Sequence, residues 1–342
     1  MFIDTHTHFY DEWLLPDADA AVQRALEAGV GKMIQADIDS RERPDMWTVG
    51  NRYPGVLFQM LGVYPGSLNA DNWQDELDQV HRIAAQGYYS PLQEKVVDQV
   101  QGKIGRGLIS SAGPSPAIMP LNTLEARCGG PGPGDRIEPR PKSSWTWSTE
   151  SLTGTTEAWT RSTEDGETTR VGNPIVAIGE VGLDYHEGKE FAEIQKEALR
   201  AQLELASARN LPVNIHLRDA WEDFFQVLED CRHLHLRGNL HCFSGSYEAY
   251  ERANRSGEWS VGIGGVITFK NNKLAQTVER IPMERILLET DAPYLAPTPH
   301  RGERNESAYL PLIAAKLAEV KGISLEECEK ITTENAESLF GI

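Results

Sequence analysis

Short apolar runs alternate with amphipathic stretches along most of the chain. Eight of the runs have the length and apolar content of strands, and in chain order they are FIDTH, KMIQADI, GVLFQMLGVYP, PIVAIGEVGLD, LPVNIHLRD, LRGNLHCFSG, WSVGIGGVI and RILLETDAP. Between them, apolar positions recur at helical spacing, as in DADAAVQRALEAG and EFAEIQKEALRAQLELASARN. A final helix is predicted from Leu325, because Ser324 and Glu327 have the spacing of a capping box. Repeated strand and helix units predict a parallel sheet, and eight units predict closure into a TIM-like (β/α)8 barrel.

Residues 88–172 interrupt this pattern between the third and fourth predicted strands. The segment includes SSAGPSPAIMP, CGGPGPGDRIEPRPKSSW and STESLTGTTEAWTRSTEDGETT, which are rich in Gly, Pro, Ser and Thr and lack a sustained period. Such a composition buries too little apolar surface to offset the entropy lost on ordering, so it predicts a long, irregular and flexible insertion, with one short helix at PLQEKVVDQVQGKI. Removing the insertion leaves roughly 250 residues, the usual length of one such barrel. We therefore interpret residues 1–342 as a single barrel interrupted by 88–172.

Acidic residues dominate the charge of the chain, which has 342 residues with 33 Lys and Arg against 51 Asp and Glu, a net charge of −18. This balance excludes a protein that grips nucleic acid by broad charge neutralisation, so a nucleic-acid substrate requires bound cations and a few local basic side chains. No apolar run reaches the roughly 18 residues of a membrane span, and no leader with a cleavage site is recognisable. The four cysteines are scattered, which argues against a disulfide framework or a zinc knuckle. We expect a cytoplasmic protein that does not bind membranes.

Two histidines, His6 and His8, close the first predicted strand in the segment MFIDTHTHFYDE. Alternate side chains of a strand point the same way, so both imidazoles project from one face. Such a pair could be solvated or packed in the core, or it could hold a metal ion, since neutral imidazole is a common metal ligand. The H-x-H spacing alone does not decide between these interpretations.

Further ligand-type residues lie at the ends of other predicted strands. Four of the nine histidines and two carboxylates occupy such positions: His6, His8, Glu180, His216, His241 and Asp291. The carboxyl ends of the strands meet at one face of a barrel, where the functional groups of such folds gather. Packing alone rarely places His and carboxylate residues at equivalent ends of five strands, so the full pattern favours the metal interpretation.

The ligand types predict two divalent ions, with Mg, Mn or Zn as the candidates. The predicted ligands divide into His6, His8 and Asp291 for one ion, His216 and His241 for the other, and Glu180 as the bridge between them. Paired ions hold a bridging hydroxide and a substrate oxygen together, which suits in-line attack on a phosphodiester. The carboxylate of Asp291 would accept the proton from the attacking water, so no separate histidine base is required.

Six segments of the chain form an ordered series: FIDTHTH, AIGEVGLDY, NIHLRDA, HCFSGS, ILLETDAPYLAP and RGERNESAYL. Together they resemble the signature segments of the TatD family of metal-dependent deoxyribonucleases, in the order of that family, and they leave only the insertion unmatched. The resemblance implies a TIM-like barrel with divalent metals on the residues above. It also implies hydrolysis of DNA phosphodiesters, often from a 3′ end as a 3′–5′ exodeoxyribonuclease.

The chain departs from the family pattern at Tyr64 in GVYP, where the family usually has a histidine near the substrate phosphate. A phenol can donate a hydrogen bond to phosphate but cannot become cationic near neutral pH, so we expect lower activity or altered specificity. We predict Tyr64, Arg218 and Arg304 as substrate contacts, with Arg301 as a further basic candidate. Alternatively, these arginines form surface ion pairs with neighbouring acids such as Glu306, and GERNES braces the loops around the metals.

The leading interpretation is a two-metal phosphodiesterase that acts on DNA. A related barrel hydrolase of an amide, a lactone or a small phosphoester is one alternative, because the same set of metal ligands serves several electrophiles. Another alternative is a metal-binding scaffold whose catalysis is reduced by Tyr64 and whose insertion recruits a partner. The sequence alone predicts neither a particular protein partner nor an oligomeric state.

Overall fold

The computed structural model describes residues 1–86, 144–148, 158–162, 168–171, 174–270 and 273–342. Within these ranges the strands are β1 Phe2–Thr7, β2 Val30–Gln35, β3 Leu57–Leu61, β4 Ser144–Ser148, β5 Ala158–Ser162, β6 Thr168–Val171, β7 Ile175–Asp184, β8 Val213–Arg218, β9 Arg237–Leu240, β10 Glu258–Ile263 and β11 Ile286–Leu288. The α-helices are α1 Ala18–Glu27, α2 Arg43–Gly50, α3 Trp73–Gln86, α4 Ala192–Arg209, α5 Trp221–Asp230, α6 Tyr247–Ala253, α7 Leu274–Arg280, α8 Leu310–Lys321 and α9 Leu325–Phe340. The helices of these ranges are too short or too polar to span a bilayer.

Eight parallel strands form one sheet in the order β1-β2-β3-β7-β8-β9-β10-β11. The first and last strands approach each other, because Thr7 forms a parallel bridge with Ala292 just beyond β11. The N–H of His8 also donates to the carbonyl of Ala292 at 2.8 Å. The predicted TIM-like (β/α)8 barrel is therefore confirmed, with the first and last segments of the barrel joined at the face where the strands end.

The helices begin and end as their local chemistry predicts. The buried residues of α1 are Ala18, Ala21, Val22 and Ala25, the spacing of one helical face turned toward the sheet. The hydroxyl of Ser324 accepts a hydrogen bond from the N–H of Glu327 at 3.1 Å, which caps α9 as its sequence predicts. These helices bury the outer face of the barrel and leave its carboxyl-end loops free to carry chemistry.

Six of the eight barrel strands end earlier than the apolar runs that predict them, because the chain turns into loops at the top of the barrel. The exceptions are β1 and β7. After β3, the N–H of Val63 donates to Oε1 of Gln202 at 2.8 Å instead of continuing the ladder in the sheet. After β9, the N–H of His241 donates to the carbonyl of Ile215 at 2.8 Å. The loop after β3 is therefore held by α4, and the loop after β9 starts beside β8, next to the predicted ligand His216.

The insertion contains a separate antiparallel sheet in the order β4-β5-β6. The sequence analysis did not identify these strands, although their segments SWTWS, AWTRS and TTRV are rich in the aromatic and β-branched residues that strands favour. The predicted flexibility of the rest of 88–172 and the predicted helix at PLQEKVVDQVQGKI lie outside the described residues. Strand β3 pairs directly with β7, so the barrel sheet is continuous across the insertion.

Candidate metal centre and active site

The histidine pair of β1 points into the carboxyl end of the barrel, where His6 Nε2 lies 3.0 Å from His8 Nε2. The Nδ1–H of His6 donates to Oδ1 of Asn214 at 2.9 Å. The Nδ1–H of His8 donates to the hydroxyl of Tyr10 at 3.0 Å, because that hydroxyl donates onward to the carbonyl of Ala36. Both rings thus expose the lone pair of Nε2 to the same point, which is the orientation of metal-ligating histidines.

The buried carboxylate of Glu180 lies between two pairs of histidines. Its Oε2 is 3.2 Å from His6 Nε2 and 3.8 Å from His8 Nε2. Its Oε1 is 2.7 Å from His216 Nδ1 and 3.9 Å from His241 Nε2. Burial favours the neutral acid, but the adjacent His6 and His216 outweigh it and hold the pKa of Glu180 well below its usual range. Each oxygen of this carboxylate therefore faces one pair of imidazoles.

Asp291 completes the first histidine pair from the opposite side. Its Oδ1 lies 3.8, 3.6 and 3.7 Å from the Nε2 atoms of His6, His8 and His241. Its backbone has a φ of +60°, which is rare outside glycine, and its N–H donates to the carbonyl of His6 at 3.0 Å. This turn directs the carboxylate inward at the point where the barrel closes.

His241 is oriented by a second buried carboxylate, Glu289. His241 Nδ1 lies 3.0 Å from Glu289 Oε1, and the N–H of Cys242 donates to the same oxygen at 2.6 Å. A Cβ at Gly262 would lie 1.9 Å from Glu289 Oε2, so only glycine leaves room for this carboxylate. Burial lowers the pKa of His241, but Glu289 and Asp291 outweigh burial and raise it to about 10.

His216 contacts the cluster through Glu180 but is also held by Asp184. His216 Nε2 lies 2.8 Å from Asp184 Oδ2. Burial opposes protonation of His216, yet hydrogen bonds to Asp184 and Glu180 raise its pKa to about 9. Ligand atoms within 4.8 Å of one another form the sets His6, Glu180 and His241, and His6, His8 and Asp291. In the described part of the chain, His216 belongs to neither of these sets.

The donor atoms of this cluster fit a divalent cation. Imidazole nitrogens and carboxylate oxygens are the ligands that Zn²⁺ and related transition metals take in proteins. The carboxylates that raise the pKa values of His216 and His241 would also favour a bound cation, because negative charge in a buried pocket stabilises positive charge. A metal could therefore be held by His6, His8, Glu180, His241 and Asp291. His216 contacts this set through its ion pair with Glu180.

A cavity of about 720 Å³ opens above the cluster. Tyr64 and Arg218, two of the predicted substrate contacts, line it together with Arg41. The hydroxyl of Tyr64 donates to Oδ2 of Asp184 at 3.0 Å, and burial followed by the nearby carboxylates raises the pKa of Tyr64, so the phenol remains a hydrogen-bond donor. Arg218 pairs with Glu187 at 3.3 Å and is about half exposed, which leaves its guanidinium accessible from the cavity.

The other predicted arginines lie away from the cavity lining. Arg304 donates to both carboxylate oxygens of Asp17 at 2.7 and 2.9 Å and to Oε1 of Glu306 at 2.7 Å. Arg301 stacks over the ring of Phe269, with its guanidinium carbon 4.5 Å from the ring centre. These contacts of Arg304 are the ion pairs that the bracing alternative predicts.

The sequence analysis missed the residues that orient the ligands. Asn214 precedes His216 by two positions, and Glu289 precedes Asp291 by two positions. Asn214 and His216 both lie on β8, and residues two apart on a strand share a face, so Asn214 could be recognised as a neighbour of a predicted ligand. Glu289 and Asp291 lie beyond β11, where this rule does not apply. Tyr10 carried no such signal, because it lies in a turn after β1 rather than on a strand.

The model of the family described as TatD related DNase matches residues 3–94 and 156–341. It leaves 95–155 unmatched, a narrower gap than the predicted insertion. Among relatives, the chain is 46% identical over 169 residues to the uncharacterized metal-dependent hydrolase YabD of Bacillus subtilis, covering 49% of this chain and 66% of that one. It is 36% identical over 169 residues to the uncharacterized metal-dependent hydrolase YcfH of Escherichia coli K12, covering 49% of this chain and 63% of that one. These matches span slightly less than two thirds of each relative.

A further relative is the 3′-5′ ssDNA/RNA exonuclease TatD of Escherichia fergusonii, 37% identical over 191 residues, with 54% of this chain and 73% of that one covered. Among solved structures, the TatD homologue YJJV of Escherichia coli has a TM-score of 0.69 at 23% identity, covering 100% of this chain and 98% of that one. A TatD family hydrolase of Entamoeba histolytica has a TM-score of 0.66 at 20% identity, covering 99% and 97%. The structural likenesses show the fold. Because the family model matches most of the chain on both sides of its gap, the protein belongs to the family of TatD related DNases.

Proposed function

We propose that this protein is a divalent-metal-dependent DNA phosphodiesterase that removes nucleotides from a 3′ end. The observation that carries the proposal is the position of Glu180, whose two oxygens face two different histidine pairs below an open cavity. The exonuclease name of the Escherichia fergusonii relative supports the substrate class and the polarity. The acidic net charge of −18 agrees with a protein that binds nucleic acid only where cations are held.

We further propose two ions, one on each side of Glu180, and we assign the other ligands by the oxygen of Glu180 that they face. The two sets are His6, His8 and Asp291 with Oε2 of Glu180, and His216 and His241 with Oε1 of Glu180. When bound, the ions supply Lewis acidity toward the phosphodiester and acidify the attacking water. For the second set, His216 would exchange a contact with a carboxylate for one with the metal. Mg, Mn and Zn remain the candidate metals.

The remaining polar groups of the cavity would handle the substrate and the proton. Asp291 would accept the proton of the attacking water, since its Oδ1 points to the centre of the three Nε2 atoms. Tyr64 would turn its hydroxyl from Asp184 to a phosphate oxygen. Arg218, on the rim, would neutralise part of the phosphate charge.

We also propose that the barrel is one folding unit, interrupted but not divided by residues 88–172. The direct pairing of β3 with β7 supports this organisation, because the strands on either side of the insertion are neighbours in the same sheet. The family model supports it as well, since it matches on both sides of its gap.

The test of the proposed function is an assay of metal-dependent shortening of an oligonucleotide. The purified protein, stripped with chelator and reloaded with Mg²⁺, Mn²⁺ or Zn²⁺, should convert a 5′-labelled DNA strand to a ladder of shorter products. A strand blocked at its 3′ end should remain intact, and excess chelator should stop the reaction because the ligands then hold no metal.

Three results would contradict the proposal. Hydrolysis that continues undiminished in chelator would exclude a metal mechanism. Cleavage of an amide, a lactone or a small phosphoester with no action on oligonucleotides would favour the alternative hydrolase. Tight metal binding with no hydrolysis of any of these compounds would favour the scaffold.

Replacing Glu289 by glutamine should weaken metal binding by about 10- to 100-fold, because His241 loses the carboxylate that orients its ring. The affinity is measured by competition with a chromophoric chelator. The matched control is Glu76→Gln, a buried carboxylate on α3 that instead accepts hydrogen bonds from the N–H and hydroxyl of Ser40. Equal metal affinities for the two variants would remove the assigned role of Glu289.

A further inference from the structure

Two exposed aromatic side chains stand together at the rim of the cavity. Trp13 is 56% exposed and Tyr294 is 44% exposed, and their ring centres are 6.1 Å apart. Tyr294 lines the cavity, and its ring centre lies 6.3 Å from that of the candidate ligand His8. The neighbouring Leu295 is also exposed and lines the cavity. Large apolar groups gathered at the mouth of a polar pocket mark a surface for ligand contact.

A single carboxylate, that of Asp11, fixes both members of this pair. The N–H of Trp13 donates to Asp11 Oδ1 at 2.8 Å, and the hydroxyl of Tyr294 donates to Asp11 Oδ2 at 2.6 Å. The N–H of Tyr294 donates to the carbonyl of Asp291 at 2.7 Å, which connects the pair to the loop that carries this candidate ligand. The ring of Tyr294 and the backbone of Trp13 are therefore held in place before any ligand arrives, which reduces the entropy cost of binding.

Arg304 holds the other side of the Trp13 backbone. Its Nη1 donates to the carbonyl of Trp13 at 2.8 Å, while the guanidinium forms a two-point contact with Asp17. Arg24 joins the same network through hydrogen bonds to Asp17 and Glu306. The network clamps the peptide group of an exposed tryptophan, a position where a mobile loop would otherwise be expected. Arg304 is thus a positioning residue for the aromatic pair.

We propose that Trp13 and Tyr294 form a stacking platform for an unpaired base near the 3′ end of a DNA strand. The inference rests on the proposed function, because it assumes that a phosphodiester lies at the metal ligands beside His8. Every base has a face that stacks on aromatic rings, so the platform would bind bases with little sequence preference. A base in a duplex would first have to be unpaired and unstacked from its neighbour, which costs a few kcal/mol. The platform therefore selects single-stranded ends.

The test is a cycle that combines a protein change with a substrate change. The wild-type protein and Trp13→Ala, both loaded with metal, are titrated with labelled single strands whose last linkages are phosphorothioates. Each strand is used with normal bases and with one abasic nucleotide at the first, second or third position from the 3′ end. For the wild type, an abasic nucleotide at one of these positions should raise Kd by about 5- to 100-fold. For Trp13→Ala the same abasic nucleotide should raise Kd by a clearly smaller factor, because only one of the two stacking rings, Tyr294, remains.

Two further variants keep the test specific. Trp13→Tyr should restore most of the sensitivity to the abasic nucleotide, because it retains an aromatic face. Leu325→Ala removes another exposed apolar side chain, which lies on α9 and does not line the cavity, and should leave Kd unchanged. Thermal unfolding of each variant checks that the barrel remains folded.

The outcomes separate this inference from the proposed function. If the wild type hydrolyses strands but an abasic nucleotide raises Kd equally for the wild type and for Trp13→Ala, the platform is wrong and the nuclease function stands. The same conclusion follows if no abasic position affects the wild type. If the wild type neither binds nor shortens DNA, the proposed function fails and the platform fails with it.

Discussion

Replacing Glu180 by glutamine should abolish turnover while the barrel stays folded. The glutamine keeps the shape of the side chain but removes the negative charge that two histidine pairs share, so two bound cations would repel one another across a neutral group. We expect kcat on a single-stranded oligonucleotide to fall by roughly 10³-fold or more. The rate is measured alongside the metal content of the protein, which should drop below that of the wild type.

The control for this change is Glu187→Gln, a glutamate that lines the same cavity but is about half exposed and pairs with Arg218. It should keep its metals and lose far less of its rate. Thermal unfolding in chelator separates loss of metal from loss of fold, because neither variant should then differ greatly from the wild type. A Glu180→Gln protein with full metal content and near-normal rate would refute the bridging assignment.

The second large effect is on stability and concerns Asp37, which follows β2. Its carboxylate lies 2.6 Å from Nε of Arg43 and accepts a hydrogen bond from the N–H of Gly62, with both charged side chains almost fully buried. Its backbone carbonyl accepts from the N–H of Glu180 at 3.1 Å, so the pair also supports the strand that carries the ligand. Asp37→Ala leaves the guanidinium buried without this carboxylate and should cost about 3–5 kcal/mol of unfolding free energy.

The unfolding free energy is measured by urea titration at about pH 8, where the carboxyl group of Asp37 is ionised. The higher pH is needed because burial raises the pKa of Asp37 to about 7 despite the neighbouring Arg43. A second variant, Asp37→Ala with Arg43→Met, removes both charges and should recover part of the loss. A loss below about 1 kcal/mol for Asp37→Ala alone would show that the pair contributes little to the fold.

The barrel was predictable because each strand and helix carries its own local pattern. Eight apolar runs and their helices need no knowledge of distant partners, and the parallel order follows from the repeated units. The clustering of the candidate ligands was predictable for a related reason, since strand ends such as that of His6 meet at one face whatever the details of packing. The strands of the insertion were not, because their short segments lie within a polar composition that masks them.

Long-range side-chain contacts could not be predicted from the sequence. Arg304 forms its hydrogen bonds with Asp17, which is 287 positions away, and no local pattern signals such a pairing. Likewise, Asn214 orients His6 from 208 positions away. Which nitrogen of His216 faces Glu180 also depends on the packing around Asp184, since either ring nitrogen can bind a metal or accept a proton.

The barrel closes between Thr7 and Ala292, so the candidate metal centre forms only when the first and last segments of the barrel come together. His6 and His8 are synthesised before Asp291 and the segment that joins it to β1. A nascent chain therefore carries its first pair of ligands long before it has a closed site. The candidate metal centre is therefore not assembled until translation has passed the last strand of the barrel.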